Sequence, residues 1–118
     1  MRRSKFLDMR YYEEIAINAD LEFVEELLVN HKYIKEWEAG IEIFKELRVD
    51  SEKTYINHWD IENNIDYIYT LKENIVGISL CLEAKPLEEE GRDQTNAHWV
   101  MLYVSQALKG IKRLAEAG

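Results

Sequence analysis

The last quarter of the chain constrains the fold more than any other stretch. Between Thr95 and Ala117, Ala97, Val100, Met101, Val104, Ala107, Leu108, Ile111, Leu114 and Ala115 share one face at about 3.6 residues per turn. Ser105, Gln106, Lys109, Lys112, Arg113 and Glu116 fill the opposite side. Trp99 and Tyr103, four apart and therefore neighbours, sit on one shoulder of the stripe, while Trp99 and Leu102 lean towards the polar side. A long helix with one broad apolar face needs an apolar surface to lie on, so the rest of the chain has to supply one.

The middle of the chain reads as that surface. Ile41 to Val49 sets Ile41, Ile43, Leu47 and Val49 together with Phe44 on the reverse, and Asp50-Ser51-Glu52 is turn chemistry. Thr54 to Ile61 places Tyr55, Asn57, Trp59 and Ile61 on one face. After a turn at Glu62-Asn63-Asn64, Ile65, Tyr67, Tyr69 and Leu71 alternate with Asp66, Ile68, Thr70 and Lys72. Lys72-Glu73-Asn74 reads as a further turn. Val76, Ile78, Leu80, Leu82 and Ala84 then line the most apolar strand, which ends at Pro86, the only proline, because proline cannot donate to a ladder. Short turns between consecutive strands imply an antiparallel meander. Leu87 to Asn96 reads as a polar, acidic connection.

Upstream, Tyr11 to Asn18 alternates as a strand, with Tyr11, Ile15 and Ile17 on one face. Asn18 and Asp20 compete to cap a helix carrying Leu21, Val24, Leu27 and Leu28 on one side and Glu22, Glu25 and Glu26 outside. A break at Asn30-His31 leads into a short helix that closes near Trp37 and stops at Ala39-Gly40. Residues 1–118 therefore read as a single α+β domain: strand, two helices, meander, long helix. A sheet with one apolar face must be covered, and the final helix is the natural cover.

Composition narrows the function. The 15 Lys and Arg are outnumbered by 23 Asp and Glu, giving a net charge of -8 that repels phosphate backbones, so nucleic acid is not an expected partner. Cys81 is the only cysteine, which excludes an intrachain disulfide and a Cys-based zinc site and fits a reducing cytoplasm. No stretch approaches the roughly 18 apolar residues needed to span a bilayer.

No chemical motif emerges. His31, His58 and His98 lack metal-ligand spacing, so they read as structural or surface residues, and neither a metal nor a cofactor is expected. Ser79 and Cys81 lie mid-strand rather than on a nucleophile elbow, and no glycine-rich phosphate loop exists. Asp60 and Asp66 flank a turn and are candidates to approach each other across it. No catalytic residue is assigned. The aromatic distribution is more informative: Tyr55, Trp59, Tyr67 and Tyr69 occupy neighbouring strands, and a Tyr- and Trp-lined surface suits a ligand pocket as well as a solid core.

Ile15-Ala16-Ile17-Asn18-Ala19, followed by Phe23-Val24-Glu25-Glu26-Leu27-Leu28 and by Tyr33-Ile34-Lys35-Glu36-Trp37, resembles the opening of START-like (SRPBCC) domains. The branch it resembles is the one related to activators of a heat-shock chaperone ATPase and to polyketide cyclases. Trp99, early in the long last helix, agrees with that pattern. The resemblance implies a helix-grip fold, in which a curved antiparallel sheet of about five to seven strands wraps the C-terminal helix around an apolar cavity. It also implies binding of a hydrophobic or aromatic small molecule, lipids among them, with Trp59, Tyr67, Tyr69, Met101, Val104 and Leu108 as the expected pocket residues. Two other classes stand beside this one: an interaction module or homodimer with a solid core, prompted by Trp99 and Leu102, and a cyclase or hydrolase.

Overall fold

The computed structural model describes residues 11–49, 56–86 and 94–117, with backbone alone for 94–97. Its elements are β1 (Tyr11–Ile17), α1 (Leu21–Val29), α2 (His31–Trp37), β2 (Lys45–Val49), β3 (Ile56–Asp60), β4 (Ile65–Asn74), β5 (Gly77–Pro86) and α3 (Gln94–Ala117). The five strands form one antiparallel sheet in the order β1-β5-β4-β3-β2. This is the α+β arrangement of antiparallel sheet and covering helix expected from the hydrophobic patterns, in the helix-grip form that the family resemblance implies.

Period-two alternation explains which face is buried. Ile17 of β1, Ile78, Leu80, Leu82 and Ala84 of β5, and Ile65, Tyr67 and Tyr69 of β4 are all buried on the inner face. The long helix α3 lies over β1 and β5. It buries Val100, Tyr103, Val104, Ala107, Leu108, Ile111 and Ala115 against them. Lys112 secures its far end by donating from Nζ to the Ala16 carbonyl at 2.7 Å and to Glu116 Oε2 at 2.7 Å. The final helix is only half of the cover, however. The α1–α2 corner closes the β3–β4 side, where Trp37 stacks on His58 with centroids 6.1 Å apart and meets Tyr69 edge-on at 6.2 Å.

The two short helices meet at Asn30, which ends one and begins the other. Its N–H donates to Glu26 O at 2.9 Å, and its side chain accepts from Lys32 N–H at 3.0 Å. Asp20 occupies the N-cap position of α1 without a capping side-chain bond. Gly40, at φ 88°, carries the left-handed conformation that releases the chain from α2. Gly110 of α3 permits a close approach to α2: a Cβ there would lie 2.8 Å from the Trp37 carbonyl oxygen.

Several sequence expectations change. Only Lys45–Val49 of the expected strand from Ile41 pairs in the sheet, and Phe44 is 66% exposed. β4 continues through Lys72-Glu73-Asn74, so the turn falls at Ile75-Val76 instead. The turn at Asp50-Ser51-Glu52, the position of Tyr55 and most of the 87–96 connection lie outside the described residues.

Candidate functional site

The inner face of β3 carries Ile56, His58 and Asp60, not the aromatic set expected there. Directly paired residues share a face: His58 opposes Tyr67, whereas Trp59 opposes Asp66. Trp59 is therefore on the outer face, separated by the sheet from Tyr67 and Tyr69. Its indole donates to Asn64 Oδ1 at 3.1 Å, and the Arg48 guanidinium lies 4.6 Å from its ring. The same register sends Asp60 inward and Asp66 outward, so the two carboxylates do not meet. Met101, 45% exposed, points away from the interior beside Leu102, 48% exposed. Tyr67, Tyr69, Val104 and Leu108 do come together in the core, but as tightly packed and fully enclosed side chains.

Within that core lies a polar cluster that local sequence gave no sign of. Glu38, immediately after α2, is 2% exposed. One carboxylate oxygen accepts from the Tyr103 hydroxyl of α3 and the other from Lys45 Nζ of β2 at 2.5 Å. Burial, followed by the neighbouring Tyr69 and Glu38, holds the Tyr103 phenol well above its usual range. Burial and then Glu38 do the same to Tyr69. Tyr67 and Tyr103 are in ring contact at 4.7 Å, and Trp99 stacks on the outer side of Tyr103 at 5.4 Å.

His58 is a structural residue with a definite task. The last carbonyls of a helix have no partner within it, and at a buried end they require other donors. Trp37 Nε1 donates to Leu27 O at 2.7 Å, and His58 Nε2 lies 2.8 Å from Leu28 O, which makes Nε2 the protonated nitrogen of a neutral ring. Burial lowers the His58 pKa to about 3, despite the opposing pull of the Leu28 carbonyl. Cys81 is half-buried on the outer face, where burial and the Glu14 carboxylate push its thiol up and away from the reactive thiolate. No cluster among the described residues has the makings of a metal site.

Between the β3–β4 turn and the start of α3 lies a cleft of about 360 Å³. Ile43, Ile65, Trp99 and Val100 give it apolar walls, and Glu42, Asp60, Glu62 and Asn63 surround them. Trp99 joins the two regions, since its indole both lines the cleft and stacks on Tyr103. The sequence marked Trp99 as unusual. It did not reveal Ile43, Ile65 or Asp60, because their convergence depends on the β3–β4 turn and the start of α3 meeting at one end of the sheet.

No family model matches the chain, and no curated protein matches it in sequence. Solved structures do share its architecture. DynU16, a protein from the dynemicin biosynthetic locus, aligns with a TM-score of 0.69 and 10% identity over 92% of this chain and 48% of its own. The chain thus spans about half the length of DynU16. Ms6760 from Mycobacterium smegmatis aligns at 0.66 with 14% identity, covering 94% of each chain. ChR145 from Cytophaga hutchinsonii aligns at 0.61 with 18% identity, over 92% of this chain and 94% of its own. At these identities the likeness is one of fold alone.

Proposed function

We propose that the chain binds a hydrophobic or aromatic small molecule at the open end of the grip, between the β3–β4 turn and the start of α3. The cleft of about 360 Å³ carries this reading, because it combines apolar walls with a few convergent polar groups. Trp99 offers a ring face to the ligand, and Asp60 and Asn63 offer polar contacts. Tyr67, Tyr69, Val104 and Leu108 are buried in the core and are not among the residues that line the cleft; they contact ligand only if the interior opens. Trp59 and Met101 lie outside this path.

Titration with Nile red, a neutral apolar dye, followed by dye and tryptophan fluorescence, tests the proposal. Saturable one-to-one binding that is weakened by Trp99→Ala supports it. Absence of saturable binding, or binding indifferent to Trp99→Ala and Ile65→Ala, refutes it.

Self-association is a second reading, favoured by Met101 and Leu102, adjacent on α3 and exposed at 45% and 48%. Sedimentation at rising concentration separates the two: a strict monomer excludes the homodimer and leaves the cleft proposal standing.

A further inference from the structure

We propose that the cleft selects a ligand bearing a protonated amine on its apolar or aromatic body. This rests on the cleft being the binding site and concerns the charge that it accepts. Asp60 lines the cleft and is only 1% exposed. Among the described residues, no Lys, Arg or His stands within ion-pair distance of its carboxylate. The cation opposite it in the sheet register, Lys45, is committed to Glu38 at 2.5 Å. Asp60 is held instead by neutral donors: Asn63 N–H reaches Oδ1 at 3.1 Å, and the Asn63 amide reaches Oδ2 at 2.9 Å.

Those two bonds fix the carboxylate and leave acceptor capacity on both oxygens. A buried carboxylate without a counter-ion is costly, and a cation arriving with the ligand relieves that cost. Glu42 and Glu62 add negative charge at the exposed rim, and no basic residue is among the described residues that line the cleft. Trp99 contributes an indole face of the kind that attracts ammonium groups. An inorganic cation is a poorer match to this lining, because Ile43, Ile65 and Val100 offer a hydrated ion nothing.

Calorimetric titration with three probes of one shape decides the matter: 2-naphthylmethylammonium, 2-naphthylmethanol and 2-naphthoate. The expected result is saturable binding of the amine, with the alcohol weaker by about tenfold and the carboxylate weaker still. Asp60→Asn is expected to bring the amine down to the level of the alcohol and leave the alcohol unchanged. Asp60 also holds the β3–β4 turn, so Glu62→Gln, at an exposed position, is the second variant, with an expected loss of about two- to threefold for the amine alone. If the alcohol binds as tightly as the amine, the charge preference is wrong and the cleft remains a binding site. If amine binding survives both variants unchanged, Asp60 and its rim do not recognise the charge, and the proposal fails. If none of the three probes saturates, both the preference and the underlying cleft reading fall.

Discussion

Tyr103, midway along the C-terminal helix, donates its hydroxyl to the carboxylate of Glu38, the residue that follows α2, across 65 positions of sequence. Lys45 of β2 reaches the other oxygen of the same carboxylate. One side chain thus links the long helix, the helical corner and the sheet. Buried charges are rarely retained for stability alone, since an apolar replacement often does as well. Removing a single member is a different matter, because the others stay buried without a partner. Tyr103→Phe is expected to cost about 1.5–3 kcal/mol, the range for a hydrogen bond to a charged group. Glu38→Gln, which strands the Lys45 ammonium, is expected to cost more, roughly 3–5 kcal/mol. Urea unfolding of both variants checks the order, and equal losses would show that the ion pair is inessential.

His58 makes stability depend on pH. Its folded pKa of about 3 lies below the ordinary 6.5, so between those values the unfolded chain binds the extra proton. The contribution of the neutral ring is complete above about pH 6.5 and declines as the pH falls towards 3, by up to about 1.4 kcal/mol per unit. Urea midpoints measured between pH 7 and pH 5, above the range where ordinary carboxylates titrate, are expected to drop in the wild-type chain. The slope should flatten in His58→Gln; an unchanged slope would assign the dependence to another group.

Gly110→Ala should behave opposite to helix propensity. At an exposed helical position this change stabilises by roughly 1 kcal/mol. Here the added Cβ would fall 2.8 Å from the Trp37 carbonyl oxygen and 3.1 Å from the Trp37 Cβ, so α2 and α3 must separate. A net loss of about 1–3 kcal/mol in thermal or urea unfolding is expected. A stabilised variant would mean that the two helices are not held at this distance.

Asn30 caps α2 through its acceptance from Lys32 N–H at 3.0 Å, while its own amide donates to Glu26 at 2.7 Å. Asn30→Ala should lower stability by about 1 kcal/mol, and Asn30→Ser should recover most of that, because serine supplies an equivalent cap. Failure of serine to rescue would shift the weight to the Glu26 contact.

Much of the architecture is legible from local pattern. The α3 stripe, the Asn30 break, the Gly40 stop and the alternation of β4 and β5 are set by periodicity and by backbone stereochemistry within a few residues. Among the described residues they appear where the sequence places them, apart from the exposed Met101 and a β4–β5 turn displaced to Ile75-Val76. The alternation of β3 misleads, because its large aromatic, Trp59, lies on the outer face beneath Arg48, while the inner face takes a histidine and an aspartate. Hydropathy cannot anticipate that assignment: His58 is wanted inside to satisfy Leu28 O, a carbonyl 30 residues away. Likewise Glu38 reads as one more surface acid until Lys45 and Tyr103 close around it. The sequence by itself determined the elements, their order and the presence of an amphipathic helix that needs a sheet. Only the tertiary structure decided which polar groups are enclosed, where the cleft opens and what charge faces it, because buried hydrogen bonds and strand register join residues that no local pattern connects.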